Sequence, residues 1–146
     1  MSVTRNWLHV SFGLFWRAFV LLQVSGLFFS LLVGKFLLAG SFYLLLRPTV
    51  FYGTLALVVV LADLGFKLNP LRALWGRRLN LSEAQWRTCT FSLASLLITM
   101  AIVNAVVAFT TPFDVWLDYK LVGKPALFIA GILATSWAVI NKQRLG

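Results

Sequence analysis

The sequence predicts an all-α fold: a polytopic transmembrane helical bundle with four spans and short interfacial segments. Three observations predict it. The 146-residue chain is 60% hydrophobic, with a mean hydropathy of +0.89; soluble domains are roughly 45–50% apolar, and one soluble core cannot bury this much apolar surface. The apolar residues also fall in long runs, and about 20 helical residues rising 1.5 Å each cross a hydrocarbon layer of roughly 30 Å. Between two such runs, residues 67–87 read KLNPLRALWGRRLNLSEAQWR, with Lys67, Arg72, Arg77, Arg78 and Arg87 against one acid, Glu83. A short basic loop between apolar runs stays cytoplasmic, because positive charge crosses the bilayer poorly. That loop orients everything else. The length suits a single membrane domain over residues 1–146.

The chain opens with MSVTRNWLHVSFGLFW, an aromatic-rich run between Arg5 and Arg17. A basic start before an apolar run also fits a signal peptide, but no small-residue cleavage site followed by a polar mature domain stands out. We read an interfacial segment leading into a retained helix. The first span is expected over residues 18–38, with Lys35 snorkelling at its outer end. Gly26, Ser30 and Gly34 recur every fourth residue there, a small-residue face that lets a second helix approach. Residues 39–48 contain Gly40, Ser41 and Arg47-Pro48, which interrupt a helix. They read as an interfacial or re-entrant outer turn, the alternative being one long broken helix with Arg47 buried.

The second span is expected over 49–66. Asp63 falls in its last turn, an intramembrane acid candidate, and also reads as an interfacial carboxylate neutralised by Lys67 or a loop arginine. In the basic loop, Pro70 can start a short amphipathic helix and Gly76 can end it. Ser82 with Gln85 three residues on predicts a capped start for the next helix. The third span is expected over 88–109, with Asn104 on a face shared with Ala101, Ala105 and Ala108. An asparagine in hydrocarbon needs partners, and we expect it to bond across to the last helix on its Ala126/Ala130 side. Residues 110–120, TTPFDVWLDYK, form the outer connection, where Trp116 and Lys120 share a helical face. Trp116 suits the outer headgroup layer. The last span is expected over 121–140, with Ala126, Ala130, Ala134 and Ala138 as a packing stripe beside Gly131. Trp16, Trp75, Trp86, Trp116 and Trp137 all fall near expected interfaces, as an aromatic belt requires. Four crossings put both termini in the cytoplasm.

Charge and chemistry narrow the function classes. The net charge of +9 comes from 13 Lys and Arg against 4 acids. The cations cluster at helix ends and inner loops, where anionic headgroups favour them, and no nucleic-acid module is visible, so no nucleic-acid partner is expected. One cysteine, Cys89, and one histidine, His9, can form neither an internal disulfide nor a four-ligand metal site. Cys89 reads as a small apolar residue near a helix start. The sequence carries no Gly-rich phosphate loop, nucleophile elbow or intramembrane carboxylate pair. No catalytic residue, metal or cofactor is expected.

From the basic loop onward the residues carry a recognisable order: Pro70-Leu71, Gly76, Leu79-x-Leu81, and Trp86 opening a helix. Asn104 then precedes Ala108-Phe109, and the outer turn holds Pro112, Trp116, Lys120 and Gly123. Upstream, RPTVFY at Arg47 to Tyr52 gives a basic-Pro-Thr helix start. In this order the chain resembles the bacterial intracellular septation protein A family, also called the inner membrane-spanning protein YciB family, from Arg47 to Ile140. Members of that family usually run longer, with one further span ahead of these, and the segment before Arg47 matches poorly. The resemblance implies a multi-pass protein of the bacterial inner membrane for cell-envelope maintenance and septation. It implies a non-enzymatic scaffold whose partners are the bilayer and membrane proteins of the division and elongation machinery. A homo-oligomer is a further expected partner. The competing expectations are a subunit of an ion or small-solute transporter, with Asp63 and Asn104 lining a path, and a lipid-handling protein using the basic loop.

Overall fold

A computed structural model of the chain describes residues 3–33, 41–73 and 81–145, with side chains described for 7–32, 44–73 and 81–141. Among the described residues the regular structure is all helical, with no strand, and four helices are long and apolar enough to cross a membrane: Trp7–Leu32, Leu44–Phe66, Glu83–Thr110 and Phe113–Asn141.

Helix α1 runs Val3–Val33. The expected interfacial segment is therefore continuous with the first span, which starts well before residue 18. Its sequence explains this: Val10, Leu14 and Ala18, spaced by four, form one buried stripe that packs into the core. No proline interrupts the run. The Gly26/Ser30 face meets α2 as expected, with a Cβ on Gly26 lying 3.7 Å from Phe51 Cζ and Ser30 accepting a hydrogen bond from Arg47. Gly34, Lys35 and the rest of 34–40 lie outside the described residues.

Helix α2 runs Ser41–Phe66 with Pro48 inside it. This corrects the expectation of a turn over 39–48, for 41–48 at least. Proline lacks the N–H that would bond the Leu44 carbonyl, yet transmembrane helices tolerate it where neighbours supply other donors. Here a neighbour bonds the adjacent carbonyl, as described below. Arg47 consequently lies in the helix, bonded to Ser30 rather than exposed to lipid. Lys67 ends α2 in the left-handed region, at φ 51°, and the Leu68 N–H returns to the Ala62 carbonyl at 3.0 Å.

Helix α3 is one turn, Pro70–Ala73, with Leu71 buried beneath it. Gly76, Trp75 and the rest of 74–80, including the expected stop of a longer amphipathic helix, lie outside the described residues. Helix α4 runs Glu83–Thr110, so it starts directly after Ser82, five residues ahead of the span expected over 88–109. Its capping box is the expected one. Ser82 Oγ accepts from the Gln85 N–H at 3.3 Å, and Gln85 Oε1 accepts from the Ser82 N–H at 2.8 Å. Cys89 is fully buried in the second turn.

The outer connection is helical where a loop was expected. Helix α5 covers Phe113–Asp118, a five-residue π turn covers Tyr119–Gly123, and helix α6 covers Lys124–Leu145. The π turn brings the Tyr119 ring over Gly123, where a Cβ would lie 2.6 Å from Tyr119 Cδ2. Only a residue without a Cβ fits that approach.

Packing builds outward from α4. Its most extensive contact is with α2, then with α6, and α1 closes the bundle against α6. Leu93, Leu97 and Met100 of α4 meet Leu55, Ala56 and Val59 of α2 and Phe128, Ile132 and Val139 of α6. Leu57, Leu61 and Leu64 of α2 and Ile98, Ile102 and Phe109 of α4 point outward, an apolar surface that suits lipid. The alanine stripe of α6 is turned the other way from the expectation: Ala126, Ala130 and Ala134 are exposed. The core face of α6 is Phe128, Ile132, Ser136 and Val139, because these larger side chains fill the bundle better. Gly131 alone serves as the close-approach residue, with Leu96 occupying the space where a Cβ would sit.

Candidate functional site

Polar side chains gather at two levels of the bundle, and a third group closes the outer hairpin. The first cluster lies where α2, α3 and α4 meet, beside a pocket of about 380 Å³ lined by Asp63, Lys67, Asn69, Arg72, Glu83 and Arg87, among others. Asn69 is its hub. Asn and Pro in sequence form a helix start: Asn69 Oδ1 accepts from the Arg72 N–H at 3.1 Å, capping α3 with Pro70 in the first turn. That leaves its amide nitrogen facing inward, where its two hydrogens are shared among Asp63 Oδ1 at 3.3 Å, the Trp86 carbonyl at 3.0 Å and Thr90 Oγ1 at 2.5 Å.

Asp63 is buried at 8% exposure, and its other oxygen pairs with Arg87 Nε at 3.5 Å. The neutralising group is thus an arginine of the basic stretch 67–87, one of the two expected alternatives, and not Lys67; it stands in the first turns of α4. Arg72 pairs with Glu83 at 3.4 Å on the exposed rim. The Arg17 guanidinium stands 5.9 Å from the centre of the Trp86 ring and donates to the Gly13 carbonyl at 2.9 Å. Trp86 is buried at 3% exposure, so it is an interior residue and not part of a lipid-facing belt. The pairing of Trp86 with a cation explains the difference: the ring face is used by protein.

The second cluster holds Asn104, fully buried on α4. Its Nδ2 donates to the Leu45 carbonyl at 3.0 Å and to Thr49 Oγ1 at 2.9 Å. Thr49 Oγ1 in turn donates to the Ala101 carbonyl at 3.3 Å. The expected bond to α6 on its Ala126/Ala130 side is therefore overturned; the partner is α2. Pro48 lies beside this contact: it leaves the Leu44 carbonyl without its helical N–H partner, and Asn104 bonds the next carbonyl, that of Leu45.

The outer hairpin joins the three remaining candidates. Trp116 and Lys120 share a face as expected, with Lys120 Nζ 5.3 Å from the centre of the Trp116 ring, and Gly123 closes the π turn. Trp116 is only 4% exposed, packed under the hairpin and not spread on its surface. Trp16 and Trp137 are exposed, as tryptophans facing lipid or headgroups would be.

The structure thus brings Asp63, Pro70 and Trp86 to one end, Trp116, Lys120 and Gly123 to the other, and sets Asn104 apart from both inner and outer groups. Asn69 and Thr49, which join helices in both clusters, escaped the sequence reading. Asn-Pro after a helix end signals the first. A threonine one residue past a proline, with an asparagine on a later helix, signals the second only once Pro48 is known to lie in a helix. Among the described residues no group of three or more His, Cys, Asp and Glu could hold a metal ion.

Comparison with known proteins gives a consistent result. The family model described as intracellular septation protein A matches residues 9–144. The chain is 33% identical over 92 residues to an inner membrane-spanning protein YciB of Laribacter hongkongensis, covering 63% of this chain and 52% of that protein. It is 32% identical over 97 residues to the protein of that name from Polaromonas naphthalenivorans, covering 66% and 46%. With the one from Cupriavidus metallidurans it shares 25% identity over 134 residues, covering 89% and 72%. The chain spans about half the length of the first two of these relatives. No solved structure matches.

Proposed function

Because this chain belongs to the intracellular septation protein A family, whose relatives are named inner membrane-spanning proteins, we propose that it is a non-enzymatic scaffold of the inner membrane. It serves cell-envelope maintenance and septation by holding membrane proteins of the division and elongation machinery. The supporting observation is a groove between α4 and α6, of about 860 Å³, lined by Ser92, Ser95, Thr99, Gly131, Ala134 and Ala138 among others. Small side chains at membrane depth let another helix backbone come close. The hydroxyls of Thr99 and Thr135 already bond the carbonyls of their own helices, at 2.8 and 2.9 Å. These two hydroxyls therefore ask nothing of an incoming helix, while Ser92 and Ser95 place hydroxyls on the groove wall that such a helix can bond.

A transporter subunit fits less well. Thr90 and Asn104 are 14 residues apart on α4, about 21 Å along the axis. Buried Leu93, Leu97 and Met100 lie between them. The two polar clusters are separated by packed hydrocarbon and not joined by a path.

Photo-crosslinking in intact cells tests the scaffold. A crosslinker at Ser95 or Ala134 should capture proteins of the division or elongation machinery, while one at exposed Leu57 on α2 should capture mainly lipid. Lipid adducts alone at all three positions, together with solute flux through the reconstituted protein, would replace the scaffold by the transporter reading.

A further inference from the structure

Toward the end of the bundle opposite α3, residues of α1, α2, α4 and α6 line a slot of about 340 Å³. Its walls are aromatic: Phe15, Phe19, Phe51, Tyr52 and Phe128. Lys120 and Lys124 line it at the start of the last span. Lys124 Nζ lies 5.4 Å from the centre of the Tyr52 ring, as Lys120 Nζ lies over Trp116. Among the described residues, no carboxylate stands within ion-pair distance of either ammonium; the two ion pairs there belong to Arg72 and Arg87.

We propose that this slot holds one hydrocarbon chain of an anionic phospholipid whose phosphate sits between Lys120 and Lys124. Two like charges four residues apart on a helix repel, and the repulsion grows where the surroundings are apolar. A single anion between them removes it. Gln23 of α1 lines the same slot and makes no hydrogen bond with any described residue, so its amide is available to an ester or phosphate oxygen. Gly26 lines the slot, and a Cβ there would meet Phe51 Cζ at an ordinary 3.7 Å, so only a bulkier side chain would take up the slot's volume. A neutral lipid fills the slot but leaves the lysines opposed. Free phosphate satisfies the lysines but leaves the aromatic walls empty. Only an amphiphile with both parts uses the whole site.

The test is native mass spectrometry of the purified full chain in neutral detergent, titrated with phosphatidylglycerol, phosphatidylcholine or inorganic phosphate. One phosphatidylglycerol per chain is expected, at about 30-fold preference over phosphatidylcholine for two lysine contacts, with inorganic phosphate unable to compete. Lys120→Gln with Lys124→Gln should abolish the preference, and Lys120→Arg with Lys124→Arg should keep it. Gly26→Val, which narrows the slot and leaves the charges alone, should weaken retention of both lipids. Arg72→Gln, at the far end, should change nothing. Where the double glutamine variant does not fold, the arginine and Gly26→Val variants still decide. Equal retention of the two lipids, a preference that survives the double glutamine change, wild-type retention in Gly26→Val, or effective competition by inorganic phosphate would each overturn the proposal.

Discussion

Replacing Arg72, Arg77, Arg78 and Arg87 together by glutamine is expected to destroy the single orientation of the chain, giving mixed or inverted insertion or poor accumulation. Moving one elementary charge across a membrane potential costs about 2.3 kcal/mol per 100 mV, so four arginines oppose translocation of residues 67–87 far more strongly than any other feature of the sequence. Two of them also have structural partners, Arg72 with Glu83 and Arg87 with Asp63. The same four positions changed to lysine separate the roles. Lysine keeps the charge and loses the guanidinium geometry, so the lysine variant should insert in the normal orientation. Reporter fusions at Asp114 and after residue 146 read the orientation directly. Normal insertion of the glutamine variant at normal levels would show that other signals set the topology.

Asn104→Leu is expected to lower stability by about 1–3 kcal/mol, because it removes two membrane hydrogen bonds worth roughly 0.6–2 kcal/mol each. The loss should be shared with Thr49. Asn104 donates to Thr49 Oγ1 and to the Leu45 carbonyl, and Thr49 donates back to the Ala101 carbonyl. These groups act as one unit, so Thr49→Val and Asn104→Leu should combine with less than the sum of their separate effects. Ala126→Leu and Ala130→Leu should cost little, because both positions face outward. Reversible unfolding in mixed micelles measures all four. Strict additivity of the first pair, or a large loss at the alanines, would contradict the α2–α4 clamp.

Much of the bundle was legible from residue order. Runs of lipid-length hydrophobicity located the helices, the S-x-x-Q pattern located the start of α4, and Asp63 near a basic loop pointed to a cationic partner, Lys67 or an arginine, between which only the structure chooses. Pro48 was misleading. Its local preference for a helix boundary is real, but tertiary contacts overrode it: α4 supplies a donor, Asn104, beside the disrupted ladder. Asn104 was expected to bond α6 because a short hairpin joins α4 to that helix, but adjacency in sequence does not say which neighbour a polar side chain meets, and the structure gives it to α2. The alanine stripe compounded it, since spacing reports that four residues share a face but not whether that face turns inward. Trp86 and Trp116 illustrate the same limit. Position near a membrane surface is shared by belt and interior tryptophans, and only the cation over each ring distinguishes them. Asn69 was readable as a helix cap, but its bonds to Asp63 and Thr90 depend on where three helices converge.

The central claim is a four-crossing bundle whose residues 67–87 lie on the cytoplasmic side. The most direct measurement is cysteine accessibility in intact cells and in inverted vesicles, on a Cys89→Ala background. Asp114→Cys, in α5, should react with a membrane-impermeant maleimide in intact cells, and Ser82→Cys, at the cap of α4, should react only in inverted vesicles. Labelling of Ser82→Cys in intact cells with protection of Asp114→Cys would contradict the account.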